Sequence, residues 1–186
     1  YYNTACSNAT KGLITAGTST GTQAVEFVTI ATTGNSADFG DLSVARVFCD
    51  GFSDSTPSSL AETLPAALGL FPGGYGSANA PIQRNIDFIN IASTGNSSLF
   101  GEIRTGQRYA HGGGASTTRG IFAGGLNQAN QYDATIEYIS LQSKGATQDF
   151  GEAVSNRAQA TTLSNSTRAL IAQGTPGNVY SSINSI

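Results

Sequence analysis

Apolar residues along the chain form short runs that recur at a nearly constant interval. The clearest run is about six residues long and rich in β-branched and aromatic side chains, and it occurs at residues 25–30, 86–91 and 136–141. This composition and length are typical of β-strands. Turns rich in Gly, Ser and Asn separate the runs, and no segment keeps a 3.6-residue apolar period for long. The one helix candidate is residues 58–64.

Two further marks recur in phase with these strands. A Phe-Gly pair follows each run after a Gly-containing turn, at offsets of 61 and 50 residues: Phe39-Gly40, Phe100-Gly101 and Phe150-Gly151. A run of the type Gly-apolar-apolar-x-x-Gly precedes each unit's loop, at residues 12–17, 69–74, 120–125 and, with Ala first, 169–174. A period near 50 residues indicates repeated supersecondary units.

Each unit predicts four short antiparallel strands, and the fold class is therefore all-β. The units span residues 1–45, 46–107, 108–156 and, incompletely, 157–186, within a single domain of residues 1–186. An insertion at residues 50–65 accounts for the longer second unit. One four-stranded meander buries only one face, so radial repetition into a β-propeller, or an open segment of one, is the expected architecture.

The polar residues are mainly uncharged. Only 11% of residues are charged, and the formal net charge is −3 with a pI near 4.9. Clustered Lys and Arg, which nucleic acids and anionic membranes attract, are missing, so we expect no nucleic-acid partner. No apolar run approaches the roughly 18 residues of a membrane span, so we expect no membrane insertion. The chain starts at Tyr1, so we expect a processed product or a piece of a longer protein.

The residues that could hold a metal or form a disulfide are few. Cys6 and Cys49 are the only cysteines and His111 is the only histidine. Two buried thiols and one disulfide both remain open as interpretations. A metal site requires more ligands, so we expect no metal and no cofactor.

Several strings look catalytic, and we interpret all of them as structural. Asp38-Phe39-Gly40 and Asp149-Phe150-Gly151 match the kinase magnesium motif but lack its context. The elbow-like residues 17–21 and the single His111 do not supply a separate base for a triad. We therefore expect no catalytic residues.

Acidic residues follow the repeat in two places. Those near the Phe-Gly pairs are expected to cap turns and to pair with the recurring Arg of neighbouring units; they are Asp38, Asp41, Glu102, Asp149 and Glu152, and the recurring Arg are Arg46, Arg108 and Arg157. Those in the third strands are expected to face solvent; they are Glu26, Asp87 and Glu137.

The order of these marks resembles the kelch-type repeat: an Arg, a polar turn, a strand ending in Gly-Gly, an aromatic residue in the third strand and another at the start of the fourth. Phe39, Phe100 and Phe150 stand where kelch repeats usually have Trp. Residues 30–42 are also similar to a repeat in virion proteins of marine bacteriophages, notably cyanophages. These resemblances imply a kelch-like β-propeller with blades of about 50 residues and a place in a tail, fibre or decoration protein.

The resulting functional expectation is a non-enzymatic structural or recognition protein of a virus particle or other extracellular assembly. Its partners would be other assembly subunits, including copies of itself, and a host-surface glycan. The loops after the second strands would make these contacts: residues 18–23, 75–84, 126–133 and 175–181. Tyr75, Tyr132 and Tyr180 are the candidate ligand-facing residues.

Two alternatives remain at this stage. A propeller-based hydrolase that degrades glycans would use acids such as Asp41 and Glu152. An intracellular protein-binding scaffold of the kelch kind would keep both cysteines reduced. The blade number is also open among a segment of a larger propeller, a four-bladed ring, and a partial ring that accepts a strand from another chain.

Overall fold

The protein is built from short β-strands. The computed structural model describes residues 3–15, 22–53, 67–76, 82–106, 108–109, 111–172, 174–175 and 183–185. Within these ranges there is no helix, and the strands are β1 (Ala5–Ser7), β2 (Lys11–Thr15), β3 (Thr22–Thr29), β4 (Ala37–Val47), β5 (Phe52–Ser53), β6 (Leu68–Pro72), β7 (Tyr75–Gly76), β8 (Asn85–Asn90), β9 (Ser98–Glu102), β10 (Arg108–Tyr109), β11 (Gly112–Ala115), β12 (Arg119–Ala123), β13 (Leu126–Asn127), β14 (Asp133–Ser140), β15 (Gln148–Arg157), β16 (Thr161–Ser164), β17 (Ala169–Ala172) and β18 (Ile183–Ser185). The all-β prediction is confirmed, and the helix candidate at residues 58–64 lies outside the described residues.

The strands form four main antiparallel sheets that follow one another along the chain. Sheet 1 has the order β1-β2-β3-β4 with β7 added at its edge, sheet 2 is β5-β6-β8-β9, sheet 3 is β11-β12-β14-β15, and sheet 4 is β16-β17-β18. In each sheet the main strands pair in sequence order, which is the meander that the turns predict. A separate two-stranded pair joins β10 to β13.

Consecutive sheets pack face to face. Strand β1 lies against β5, β5 against β11, and β11 against β16, so the first strands of the four sheets run along one inner side. Among the described strands, no comparable contact joins β16 back to β1. An apolar cluster fills each boundary: Cys6, Leu13, Val25, Phe39, Leu42, Phe71, Ile89 and Ile91 between sheets 1 and 2; Phe52, Leu68, Leu70, Ile86, Phe100, Ile103, Phe122, Ile139 and Leu141 between sheets 2 and 3; and Ala123, Ala134, Ile136, Ala153 and Ile171 between sheets 3 and 4.

The Phe of each Phe-Gly pair is the extra residue of a β-bulge. In sheet 1, Glu26 pairs with Asp38 and Val25 with Gly40, so the ladder skips Phe39. The same skip occurs at Phe100 in sheet 2 and at Phe150 in sheet 3. A bulge leaves its extra residue unpaired in the ladder and bends the strand. The recurring Phe-Gly string therefore marks one backbone irregularity near the start of each fourth strand.

The third-strand acids correct one sequence-based expectation. Glu26 is exposed as predicted, but the prediction was wrong for Asp87 and Glu137, which are fully buried. The alternation of side chains in a strand does place all three on one face. In sheets 2 and 3 this face packs against the preceding sheet, whereas in sheet 1 none of the described sheets covers it.

Candidate functional site

Aromatic side chains from different units gather where the inter-sheet linkers meet the loops after the second strands. The ring of Tyr75 lies edge-on to that of Tyr109, with centroids 5.5 Å apart, and Phe48 approaches Tyr109 at 5.9 Å. Tyr75 is 40% exposed. These residues, together with Tyr132, are called the tyrosine cluster below.

Tyr132 reaches the cluster through backbone pairing. Tyr109 pairs with Leu126, and Leu126 forms a bridge with Tyr132, so the three residues stand side by side across neighbouring strands. The hydroxyl of Tyr109 donates a hydrogen bond of 2.6 Å to the Asn130 side-chain oxygen. Partial burial raises the pKa of the Tyr109 hydroxyl, and the neighbouring Tyr75 and Tyr132 raise it further.

A repeated backbone arrangement brings these segments together. The glycines that end the second strands have positive φ, with Gly73 at 55° and Gly124 at 67°, a conformation that glycine adopts at little cost. The chain beyond them pairs with the linker from the preceding sheet: β7 pairs with the end of β4, β13 with β10, and Thr175 with Ala158. The loops of successive units are therefore held at one edge of the protein.

Amide side chains border the tyrosine cluster. Asn127 organises its loop, because its side-chain oxygen accepts the N–H groups of Ala129 and Gln131 at 2.9 and 3.0 Å. An open cavity of about 440 Å³ lies beside this loop, lined by Arg84, Thr105, Gly106, Asn127, Gln128 and Ala129. Aromatic rings, amides and one guanidinium are groups that stack on and hydrogen-bond a polar, uncharged ligand.

The sequence-predicted ligand-facing residues have different outcomes. Tyr75 and Tyr132 are brought together around Tyr109, and Tyr180 lies outside the described residues. Of the four predicted loops, residues 126–133 are fully described, residues 75–84 are half described, and most of residues 18–23 and 175–181 are not described. Sequence reasoning missed Tyr109, although an aromatic residue directly after the unit-opening Arg108 was the available signal.

One recurring Arg and one recurring acid form an ion pair between sheets 1 and 2. The guanidinium of Arg46 in sheet 1 lies 2.9 Å from the Asp87 carboxylate in sheet 2, and both side chains are fully buried. Asp87 also accepts the Ser43 N–H at 2.8 Å and the hydroxyls of Ser43 and Ser97. Arg46 donates in addition to the carbonyls of Phe71, Gly73 and Asn85. Every charged atom of this pair thus has a partner, as a buried ion pair requires.

The corresponding acid of sheet 3 has a looser environment. Buried Glu137 accepts the Thr105 N–H at 3.1 Å and lies 3.7 Å from Arg104, whose side chain is half exposed. Its second carboxylate oxygen is buried and makes no hydrogen bond within the described residues. An Arg of the preceding sheet still faces the acid, but Arg104 is not the recurring Arg.

The acids near the Phe-Gly pairs follow the sequence-based expectation only in part. Glu102 pairs with Arg84 of its own sheet at 3.0 Å, and Asp149 lies 3.8 Å from Arg104 of the preceding sheet. Neither partner is one of the recurring Arg46, Arg108 and Arg157. Asp41 lies on β4 in sheet 1 and Glu152 on β15 in sheet 3, so sheet 2 stands between the two acids considered for hydrolysis.

The remaining candidate groups are buried or unreactive. Cys6 and Cys49 are free thiols, and burial raises the pKa of each to about 12. His111 is buried, with its ring 5.9 Å from that of Phe122. Among the described residues, no group of three or more His, Cys, Asp and Glu side chains is placed to hold a metal ion. The described part of the chain also contains no helix long and apolar enough to cross a membrane. The elbow-like residues 17–21 lie outside it.

Comparisons with known proteins provide no family assignment. No protein-family model matches the chain, and no curated protein matches it significantly. The functional argument therefore depends on the geometry of the described residues and on the amino-acid sequence of the repeat.

Proposed function

We propose that the protein is a non-enzymatic scaffold of a virus particle or another extracellular assembly, built as a kelch-like β-propeller or an open segment of one. Its four-stranded units would be the blades, and their first strands would line the axis. Two observations support this architecture: the sheets follow one another along the chain, and their first strands lie against each other in order. Radial stacking of blades would leave only short sheet edges exposed.

The functional proposal depends on a difference between two sets of side chains: one set holds neighbouring sheets together, and the other lies at one edge of the protein. The buried acids of the third strands form inter-sheet contacts, since Asp87 pairs with Arg46 of sheet 1 and Glu137 lies 3.7 Å from Arg104. The residues that differ between units, by contrast, form the tyrosine cluster at one edge. A feature common to all units builds the scaffold, and a feature confined to one place is available for recognition.

The ligand class that fits this edge is a neutral glycan. The exposed ring of Tyr75 and the half-buried rings of Tyr109 and Tyr132 offer apolar faces to sugar rings, and Asn127 and Asn130 provide amides for sugar hydroxyls. Assembly partners would include further subunits and copies of this chain. The virion location rests on the resemblance of residues 30–42 to the bacteriophage repeat.

The test is binding of the purified chain to a panel of bacterial surface polysaccharides. Tyr75→Ala is expected to weaken binding of a glycan that the wild-type chain binds by about fivefold, since loss of one aromatic contact corresponds to about 1 kcal/mol. Leu99→Ser is the matched control, because Leu99 is a similarly exposed apolar residue on β9. Thermal unfolding verifies that both variants fold.

Two results would contradict the proposal. The first is glycan binding that Tyr75→Ala leaves unchanged. The second is release of reducing ends from a polysaccharide that stops in Asp41→Asn or Glu152→Gln, which would establish a hydrolase instead.

A further inference from the structure

One ion pair of sheet 2 departs from the repeat, and it lies near the tyrosine cluster. The fourth strands carry an acid at the same register in three sheets, namely Asp41, Glu102 and Glu152. The residue before the third-strand partner of each acid is, in the same order, Gln23, Arg84 and Ala134. Of these three sheets, sheet 2 therefore supplies an arginine beside the recurring acid and the other two do not.

The Arg84–Glu102 pair is open to solvent. The Nη2 atom of Arg84 lies 3.0 Å from the Oε2 atom of Glu102, and the side chains are 47% and 44% exposed. An ion pair this exposed contributes little to stability, so the fold does not depend on it. A guanidinium has five N–H donors and a carboxylate has two acceptor oxygens. Each group therefore retains hydrogen-bonding capacity for a ligand.

Arg84 also lines the open cavity of about 440 Å³ beside the residue 127–131 loop. Small-molecule sites have volumes of about 300–1,000 Å³, so this cavity has room for a sugar residue. Gly106 in its lining has a φ of 107°, and a Cβ added there would meet nothing within 4 Å. Thr105 contributes a hydroxyl, and Asn127 and Gln128 contribute amides. The lining is therefore suited to a polar group rich in hydroxyls.

One loop connects this cavity to the tyrosine cluster. Asn127 fixes the loop, because its Nδ2 atom donates to Gln131 Oε1 at 3.2 Å and its Oδ1 atom accepts two loop N–H groups. Asn130 has a φ of 56°, which Asn tolerates better than most residues, and its side-chain oxygen accepts the Tyr109 hydroxyl. A wall that is ordered before the ligand arrives reduces the entropy lost on binding. Adjacent sugar residues of one chain can therefore contact the cavity and the tyrosine rings together.

We propose that the Arg84–Glu102 pair and the adjoining cavity form a subsite for a neutral sugar residue with hydroxyls on two neighbouring carbons. The guanidinium donates to one hydroxyl oxygen, and the Glu102 carboxylate accepts the hydrogen of the other hydroxyl. The 3.0 Å between the paired nitrogen and oxygen is similar to the spacing of two such hydroxyl oxygens. The next sugar residue stacks on Tyr75. This inference rests on the proposed recognition function and specifies the class of glycan.

The ion pair favours a diol over an anion or an apolar group. A carboxylate ligand would gain a contact with Arg84, but Glu102 lies at the same guanidinium and would repel it, as would the net charge of −3. An apolar group would remove water from both charged side chains without replacing its hydrogen bonds, which costs free energy. A pair of neighbouring hydroxyls supplies both the acceptor that Arg84 requires and the donor that Glu102 requires.

The experiment uses the 186-residue chain and the polysaccharide of the panel that it binds most tightly, before and after periodate oxidation and borohydride reduction. Periodate cleaves the bond between two neighbouring hydroxyl-bearing carbons. The wild-type chain should bind the oxidised glycan about tenfold more weakly, which corresponds to losing one hydrogen bond to a charged group. Arg84→Ala and Glu102→Gln should each weaken binding of the untreated glycan about tenfold. Each variant should bind the two glycan forms with affinities that differ by less than about threefold, because the contact is already lost.

Two variants outside the cavity lining are the matched controls. Arg168→Ala removes another exposed arginine, and Asp149→Asn neutralises another exposed acid that lies near an arginine. Both should retain the wild-type affinity for the untreated glycan and the wild-type loss on oxidation. Thermal unfolding verifies that all variants fold, and Glu102→Gln preserves the shape of its side chain, so the test does not depend on Arg84→Ala alone.

Three outcomes would overturn this inference and leave the proposed function intact. The first is glycan binding that Tyr75→Ala weakens but that neither Arg84→Ala nor Glu102→Gln weakens. The second is undiminished binding of the oxidised glycan by the wild-type chain. The third is stronger binding of a carboxylate-bearing glycan by Glu102→Gln, which would establish an anion site at Arg84. Absence of binding to every polysaccharide of the panel would instead contradict the proposed function, and this inference with it.

Discussion

The boundary between sheets 1 and 2 and the boundary between sheets 3 and 4 use equivalent residues in different states. Phe39 is 2% exposed at the first boundary, whereas Phe150 is 42% exposed at the last. Both residues are the extra residue of the same bulge and both precede a glycine. The difference lies in the neighbour, because the turn containing Gly95 covers Phe39 and no described turn covers Phe150. Burial in this fold is thus decided by the next unit.

The equivalent acids of sheets 1 and 2 also differ in burial according to the neighbouring sheet. Asp87 is fully buried opposite Arg46, whereas Glu26, at the equivalent position of sheet 1, is exposed and accepts a hydrogen bond of 2.7 Å from Ser36 of its own sheet. One repeat position therefore has a buried and an exposed form within one chain. A substitution at the exposed position can therefore serve as the control for the same substitution at the buried position.

The largest expected effect comes from breaking the buried ion pair. Asp87→Ala leaves the Arg46 guanidinium buried without its counter-charge, and such losses cost about 3–5 kcal/mol. Chemical denaturation should show this decrease in the free energy of unfolding. Glu26→Ala is the matched control and should change stability by less than about 0.5 kcal/mol. Equal effects of the two substitutions would show that the two environments do not differ as described.

The second prediction compares the stability losses at two bulge phenylalanines, the buried Phe100 and the exposed Phe150. Phe100→Ala removes a fully packed ring and should cost about 3–5 kcal/mol. Phe150→Ala should cost about 1 kcal/mol, because its ring retains much of its contact with water. The measurement is the difference in denaturation midpoint between the two variants. A larger loss at Phe150 than at Phe100 would contradict the comparison.

The third prediction concerns Asp50 on the inner side of the protein, where the first strands of consecutive sheets contact one another at every boundary. Burial raises the pKa of Asp50 to about 6 from 3.8, against opposing hydrogen bonds from the Gly51 and Gly113 N–H groups and from Thr4. Between about pH 4 and pH 6 the folded protein retains a proton that the unfolded chain has released, so stability falls as the pH rises through this window. The loss is on the order of 3 kcal/mol.

Asp50→Asn isolates this contribution. The other carboxyl groups titrate equally in both proteins, so the difference in unfolding free energy between wild type and variant should change between pH 4 and pH 6 and be constant above it. A difference that does not depend on pH would show that Asp50 ionises at its ordinary pKa in the folded protein.

The strands and their order were accessible from the sequence because they depend on local signals. β-Branched runs such as residues 86–91, and glycine turns after them, specify strand and turn without reference to neighbours. The position of each Phe-Gly pair near the start of a fourth strand followed from the same phase.

Contacts between units were less accessible. Asp87, Glu137 and Glu26 look alike in sequence, yet two are buried and one is exposed, because the preceding sheet decides their environment. The tyrosine cluster itself was not predicted, although two of its members, Tyr75 and Tyr132, are candidate ligand-facing residues from their loops. Tyr109 was missed because its role depends on pairing with Leu126, which sequence spacing does not reveal.

The link between bulge and turn has a consequence for how such a chain can change in length. Sheet 2 carries both halves of the joint: the N–H groups of Gly95 and Ser97, in the turn before β9, donate to sheet 1, and the carbonyls of Phe100 and Glu102 on β9 accept N–H groups of sheet 3. Duplicating or deleting a whole unit therefore leaves donors opposite acceptors at the new junction. A deletion that ends inside a unit removes one set of these groups and leaves the other set without hydrogen-bond partners. Whole-unit gain and loss is accordingly the route of growth that this architecture tolerates best, both in evolution and in the hands of an engineer.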